Sequence, residues 1–347
     1  MKRALVISGG GSKGAFAVGI LQKLRGLFPQ LKFDIIVGTS TGALIAPLAS
    51  VGDLDLLEEI YTTHTTEQVV TKHRIGDRLN QSSIFSVEPL WQLIRQHMSD
   101  ALYNEIVQSS TDIYIITTCL QTQGTVVYTT HPSPKSSSLY SVKTMQDAEH
   151  MRLSILGSAC QPVFMTPVKI DLNHSQGPER EFQYVDGGVR EYAGIQMAID
   201  QGATEIFCVL LSTGTSNEDR VEYTSLFPIL QRTISMFSED VEKNDLFIPQ
   251  QSAKAIRHIH LVKQKMSADG ISENKIDEYF NYEGCPKEFQ SEQQVRLYLM
   301  RPEKPLGGGP GGLVFDPLEM RSMVETGQGI AQNFVAKLDV RDVTWIV

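Results

Sequence analysis

A serine between two glycines follows a buried-type apolar run in "FDIIVGTSTGALIA", residues 33–46. The segment Gly38-Thr39-Ser40-Thr41-Gly42 matches GxSxG at a predicted strand-to-helix turn. Such a turn holds the serine in a strained conformation, and the flanking glycines avoid a clash. The hydroxyl then lies at the carboxyl edge of the sheet, beside a helix N-terminus that favours developing negative charge. Ser40 is therefore a candidate nucleophile, although the same residues also fit a simple packing turn.

A glycine loop follows the first predicted strand, with the sequence Gly9-Gly10-Gly11-Ser12-Lys13-Gly14. A dinucleotide fingerprint would need an acidic residue at the end of the second strand, but Asp34 opens that strand instead. A phosphate loop would need GxxxxGK[ST], which this loop lacks. Successive glycine amides beside a helix N-terminus can instead point at one oxyanion. An oxyanion hole is the favoured interpretation, and a glycine turn without chemistry is the alternative.

An aspartate followed by two glycines, Asp186-Gly187-Gly188, comes after the apolar segment "EFQYV". Side chains at strand ends are exposed to the crevice where α/β proteins bind ligands. Asp-Gly is also a strong signal for a type I′ hairpin turn. Taken alone, the hairpin turn is the better interpretation of this motif.

The three motifs together, in this order and spacing, resemble those of the patatin-like phospholipase family. The segment "SACQPVFMTPV" (158–168) is similar to the small-residue and proline segment before that family's aspartate strand. The resemblance covers about residues 4–212, with a weaker similarity in "FDPLEMRSMVETG". Lys13 stands where the family usually has arginine; it keeps the charge but loses the planar fork.

The resemblance implies a lipid acyl hydrolase with a Ser40–Asp186 dyad and an acyl-enzyme intermediate. Asp186 would accept the serine proton, and its ordinary pKa of about 3.9 would have to rise by desolvation. The oxyanion hole would come from Gly9, Gly10 and Gly11. The remaining motif residues would support the site: Lys13, Gly14, Gly38, Gly42, Gly187 and Gly188. No metal and no organic cofactor are expected, and the substrate would be an ester of a membrane or neutral lipid.

Three other functions remain open from the residues. A Ser-His-Asp esterase would take its base from His258 or His260, the only histidines after Asp186. Their alternate positions in "RHIHLVKQ" (257–264) predict one face of a strand instead of a catalytic loop. A catalytically silent lipid-binding or regulatory protein is the second alternative. A nucleotide-binding module using the glycine loop is the third.

The surrounding pattern predicts an α/β fold, a three-layer α/β/α sandwich with a mainly parallel central sheet. Strands are predicted at 3–8, 33–38, 112–131 (two strands around Gln123-Gly124), 203–212 and 295–302, and helices at 14–28, 41–50, 53–61, 86–98, 144–159, 223–256 and 316–338. We expect one patatin-like domain over 1–347. Its motif-bearing core spans 4–212, and helical additions lie in the less certain portion 213–347. "PLWQLIRQHM" and "LFPILQRTISMF" are interpreted mainly as core, with an acyl channel or membrane contact as the alternative.

The amino-acid composition and net charge limit the classes of molecule that the protein is expected to bind. A net charge of −9 and a pI near 5.4 argue against nucleic acid and against docking on anionic lipid. Four dispersed cysteines support neither a disulfide framework nor a metal site. Neither a signal peptide nor a membrane span is predicted. We expect a cytoplasmic protein that uses no nucleotide and makes transient, apolar contact with a membrane or micelle surface.

Overall fold

The computed structural model describes residues 2–72, 83–214, 221–282 and 295–338. Its strands are β1 (Arg3–Ile7), β2 (Ile35–Thr39), β3 (Thr71–Lys72), β4 (Phe85–Ser86), β5 (Asp112–Cys119), β6 (Thr125–Thr129), β7 (Tyr140–Thr144), β8 (Tyr184–Asp186), β9 (Glu205–Val209) and β10 (Arg296–Met300). Its helices are α1 (Gly14–Leu27), α2 (Thr41–Val51), α3 (Leu54–Thr63), α4 (Thr66–Val69), α5 (Glu88–His97), α6 (Asp100–Gln108), α7 (Ala148–Ala159), α8 (Ile195–Asp200), α9 (Leu226–Ala268), α10 (Glu273–Phe280) and α11 (Pro317–Leu338).

Eight of these strands form one mixed sheet in the order β10-β9-β1-β2-β5-β6-β7, with β8 also paired to β5. The five strands from β10 to β5 are parallel to one another. β6 and β8 each pair antiparallel with β5. The carboxyl ends of β1 and β2 therefore meet at one edge, where the glycine loop and the serine turn begin.

Both faces of this sheet are covered, as the continuous apolar strands predict. Along β1, Leu5 and Ile7 pack into one core, while Ala4 and Val6 pack into the core on the opposite face. The first core contains side chains of α1, α2, α5, α7 and α11, and the second contains those of α8. The predicted three-layer α/β/α sandwich is confirmed.

A buried carboxylate fixes the short strand β8. Asp171 is 2% exposed and accepts hydrogen bonds from Tyr128, Lys143 and Tyr184, while His150 Nε2 lies 3.2 Å from its other oxygen. Burial opposes its ionisation, but hydrogen bonds from His150, Lys143 and Tyr184 outweigh burial and hold the Asp171 pKa below its ordinary range. Since Tyr184 opens β8, these contacts anchor the strand that ends in Asp186.

Several predicted elements are confirmed, and one is wrong. The strands of the 112–131 hairpin pair antiparallel around Gln123-Gly124 as predicted. The predicted strand 257–264 is wrong, because these residues lie in the long helix α9. None of the helices among the described residues is long and apolar enough to cross a bilayer.

Candidate active site

Ser40 lies at a sharp turn between β2 and α2. Its φ of 56° and ψ of −117° fall in a region that non-glycine residues rarely adopt. A Cβ atom on residue 42 would lie 2.2 Å from the carbonyl oxygen of Ile7, and one on residue 38 would lie 2.4 Å from that of Gly42. The two motif glycines are therefore required by close backbone packing around the strained serine.

The glycine loop runs beside this turn. A Cβ atom on Gly9 would lie 3.2 Å from the Cβ of Ser40. Gly11 has a φ of 58°, and its backbone packs against Gly312. Within the part of the chain that the structure describes, the N–H groups of Gly9, Gly10 and Gly11 have no hydrogen-bond partner. The loop thus brings unpaired donors close to the serine.

Asp186 ends β8 opposite Thr117 of β5, which carries it to the same edge of the sheet. Its side chain accepts the N–H of Gly188 at 2.8 Å, and Asp186 and Ser40 line the same cavity. Burial raises the Asp186 pKa to about 6, although its interactions with the Ser40 side chain and with the Gly188 N–H favour the charged form. The hairpin-turn interpretation is wrong, since a 3₁₀ turn (Gly187–Val189) follows the aspartate.

The other predicted site residues lie around this pair. A Cβ atom on Gly187 would lie 2.5 Å from the carbonyl oxygen of Ile116, and one on Gly14 would lie 2.5 Å from the Thr41 hydroxyl. Burial lowers the pKa of Lys13, while the charge of Glu242 partly opposes that shift. All eleven predicted residues therefore gather where β1, β2 and β8 end.

A cavity of about 320 Å³ with a mixed polar and apolar lining opens on one side of Ser40. We call it the polar cavity, because charged side chains line it. Gly9, Gly10, Lys13 and Asp186 line its floor. Helix α9 lines another side with side chains spaced three or four residues apart: Arg232, Ser235, Ser238, Glu239, Glu242 and Lys243. The cavity therefore offers charges of both signs next to the serine.

A second cavity, of about 90 Å³, also reaches Ser40 and is mainly apolar. Its lining includes Leu44, Leu57, Ile60, Val69, Leu90, Leu93, Ile94, Met98, Met165, Leu313 and Phe315. Gln161 and Ser40 border both cavities. The serine hydroxyl therefore stands where a polar space meets an apolar one.

The family profile described as patatin-like phospholipase matches residues 5–199, more than half of the chain. The chain belongs to the patatin-like phospholipase family. Its three motifs lie within the matched range, as the sequence resemblance implied.

Two curated relatives each match part of the chain. A cUMP-AMP-activated phospholipase of Escherichia coli is 41% identical over 66 residues, 18% of this chain and 21% of the relative. Patatin-T5 of Solanum tuberosum is 27% identical over 203 residues, 54% of this chain and 50% of the relative. The chain therefore spans half or less of the length of these relatives. Among solved structures, VipD from Legionella pneumophila matches with a TM-score of 0.41 and 12% identity over 97% of this chain and 67% of that chain.

The patatin-like site also contains groups that the motifs did not identify. Ser158 accepts the N–H of Ser40, and the carbonyl of Cys160 accepts the N–H of Asp186. Both residues lie in "SACQPVFMTPV", so the resemblance pointed to this segment but not to the roles of the two residues. The apolar lining from α5 agrees with the acyl-channel alternative for "PLWQLIRQHM".

The histidines proposed for a Ser-His-Asp site lie elsewhere. His258 and His260 are exposed on α9, and neither lines a cavity that contains Ser40. Cys119, Cys160 and Cys208 are buried free thiols, whereas Cys285 lies outside the described residues. In the described ranges, no group of three or more His, Cys, Asp or Glu side chains could hold a metal ion.

Proposed function

We propose that the chain is a lipid acyl hydrolase of the phospholipase A or lysophospholipase type. The observation that carries the proposal is that Ser40 and the buried Asp186 line one cavity, which meets a second, apolar cavity at Ser40. A lipid ester has the same division into a polar head group and an apolar chain. Family membership supports the same class of reaction.

In the proposed mechanism, Asp186 acts as the base. A pKa of about 6 leaves it ionised at neutral pH yet more basic than an ordinary aspartate. It accepts the Ser40 proton as the serine oxygen attacks the ester carbonyl. The carbonyl oxygen gains the negative charge, and the N–H groups of Gly9, Gly10 and Gly11 stabilise it.

The intermediate then collapses with release of the alcohol, which takes the proton from Asp186, and leaves an acyl-Ser40. Water attacks this ester while Asp186 accepts its proton. When the second tetrahedral intermediate collapses, the bond to the Ser40 oxygen breaks, that oxygen takes the proton back from Asp186, and the fatty acid is released. Both half-reactions thus use only residues of this chain and water.

The two cavities suggest how the substrate lies. The acyl chain would enter the apolar cavity between α2, α3 and α5, because burying methylene groups there is favourable. The head group would occupy the polar cavity, where Lys13 faces it. We propose that the protein works in the cytoplasm and touches lipid surfaces only transiently.

The name of the Escherichia coli relative raises the question whether a nucleotide activates this chain. The Escherichia coli protein is called cUMP-AMP-activated, whereas the sequence of this chain predicts no nucleotide partner. Activation by cUMP-AMP is therefore included as a variable in the test. That prediction would be overturned if this nucleotide raised fatty-acid release several-fold.

The test combines labelling by a fluorescent fluorophosphonate with release of fatty acid from mixed lipid vesicles. Wild type would be compared with Ser40→Ala, Asp186→Asn and the double variant His258→Ala/His260→Ala, each with and without cUMP-AMP. Loss of both signals in the first two variants, with both retained in the double variant, supports the proposal. Loss in the double variant favours a Ser-His-Asp esterase. Lipid binding without labelling or release in wild type favours a catalytically silent protein.

A further inference from the structure

The strained backbone of Ser40 is held from outside its own turn. The Ser158 hydroxyl accepts the N–H of Ser40 at 2.9 Å and donates to the carbonyl oxygen of Ile116 at 2.6 Å. Ser158 is fully buried, with an exposed fraction of 0%. Strained conformations of this kind persist only where the surroundings determine them strongly. One side chain of α7 therefore ties the serine turn to the neighbouring strand β5.

The same end of α7 also holds Asp186. The carbonyl of Cys160 accepts the N–H of Asp186 at 2.8 Å. Cys160 follows the last residue of α7, where helix carbonyls lack partners within the helix. Ser158 and Cys160, two residues apart, thus accept the backbone N–H groups of Ser40 and Asp186.

We infer that Ser158 is a positioning residue that sets the geometry between Ser40 and Asp186. This inference rests on the proposed function. With its N–H bonded to Ser158, Ser40 contributes no amide to the oxyanion, which leaves that role to the glycine loop. Removing the Ser158 hydroxyl leaves the Ser40 N–H without its acceptor and takes one donor away from the Ile116 carbonyl oxygen. The turn that carries Ser40 then loses the contact that holds it to β5.

The chain offers a matched control on the same helix. Ser154 is also 0% exposed, but its hydroxyl donates at 2.7 Å to the carbonyl of His150 one turn earlier. Ser154→Ala removes the same atom from the same helix without touching the serine turn. Comparing Ser158→Ala with Ser154→Ala therefore separates positioning of the dyad from general packing of α7.

We expect Ser158→Ala to lower kcat on a soluble ester by about 10- to 100-fold, since small misplacements of reacting groups have effects of this size. KM should change less than about threefold, because the cavities keep their lining. The rate of fluorophosphonate labelling should fall in parallel with kcat. Ser154→Ala should keep both rates close to wild type, while both variants lose similar amounts of thermal stability.

Equal kcat in the two variants, or a raised KM with kcat unchanged, would overturn the inference. If Ser158→Ala does not fold, Ser158→Cys replaces it, since a thiol of similar shape is a weak donor and a weak acceptor. A wild-type rate in that variant would likewise reject a positioning role. A wild type without esterase activity would instead refute the proposed function, so the two failures are distinguishable.

Discussion

The surroundings of Asp186 make its carboxylate more basic, because burial disfavours the ionised form. Its carboxylate is buried, and burial raises its pKa to about 6, although interactions with the Ser40 side chain and the Gly188 N–H favour the charged form. A carboxylate buried in this way is a stronger base when it is ionised, and it is protonated at a higher pH than an exposed aspartate. The proposed catalytic role and the pH dependence expected from it therefore have one cause.

Hydrolysis should rise with pH through the pKa of Asp186. Below about pH 6 the protonated carboxyl cannot accept the serine proton, so kcat/KM should increase about tenfold per pH unit and level off above about pH 7. The measurement is the pH profile of kcat/KM on a soluble ester, with protein stability checked at each pH. A midpoint near pH 4, as for an exposed aspartate, would contradict this assignment.

The raised pKa of Asp186 also means that the free energy of unfolding decreases with rising pH, whereas hydrolysis should increase. Because the folded pKa of about 6 exceeds the ordinary value of 3.8, stability falls as pH rises between these values and stays reduced above them. The difference corresponds to about 3 kcal/mol. Asp186→Asn should therefore unfold at higher urea concentration than wild type at pH 8, with little difference at pH 4.

At the scale of single residues, the motif residues could be predicted from the sequence, but the residues that hold them in place could not. Ser40 and the glycine loop could be proposed from their residue types and positions, whereas Asp186 was proposed from the resemblance to the patatin-like family. Ser158 and Cys160 act through a hydroxyl and a backbone carbonyl, which many residues in other places also offer. Only the position of the end of α7 in the fold gives them their role.

At the scale of elements, helix α5 determines one wall of the apolar cavity. Leu90, Leu93 and Ile94 line it, and Leu93 is only half-buried. Substitutions there can change the width of the cavity with less disturbance of the core than at the fully buried positions. Acyl selectivity should therefore be adjustable from this helix without altering the dyad.

We expect Leu93→Trp to shorten the preferred acyl chain. The larger ring fills the cavity, so kcat/KM for long-chain esters should fall about tenfold relative to that for butyrate esters. A series of p-nitrophenyl esters of increasing chain length measures this ratio. Leu153→Trp is the control, because Leu153 packs against the core without lining either cavity. An equal change for all chain lengths would place the acyl chain elsewhere.

Element prediction failed where two periodicities compete. In "RHIHLVKQ", the polar and apolar residues alternate as in a strand, but the window is short and lies within a long stretch of good helix formers. The helix continues through it as part of α9, with His258 and His260 exposed. The extended context decides the outcome, because helix formation is cooperative over many residues.

At the scale of the whole molecule, the first and last described helices are in backbone contact. A Cβ atom on Gly19 of α1 would lie 2.0 Å from the carbonyl oxygen of Val324, and one on Gly327 of α11 would lie 2.1 Å from that of Phe16. The two glycines thus allow the helices to approach closely. Helix α1 begins directly after the glycine loop, so this packing also supports the candidate site.

Two glycines of α11 should respond in opposite directions to the same substitution. Gly327→Ala forces α1 and α11 apart and should lower the free energy of unfolding by about 2–4 kcal/mol. Gly329 has nothing within 4 Å of an added Cβ. Gly329→Ala should therefore stabilise the helix by about 0.5–1 kcal/mol. Urea unfolding of both variants gives the comparison, and a loss of equal size in both would refute the packing argument.

The global arrangement was predictable only in part. Helical spacing predicted α11 in spite of its two glycines, and close packing explains only Gly327. The class of fold followed from alternating strands and helices. The order of strands in the sheet did not, because pairing between distant segments leaves little local trace in the sequence.

β1 lies between β2 and β9, and the loop that follows it rests on Gly312. During synthesis, a growing chain therefore makes Ser40 and Asp186 long before it can support the glycine loop. We expect chains arrested on the ribosome before residue 312 to escape fluorophosphonate labelling, and chains released after α11 to be labelled. Labelling of the shorter chains would contradict this. The order of segments along the chain thus makes the proposed hydrolysis depend on synthesis of the segment that contains Gly312.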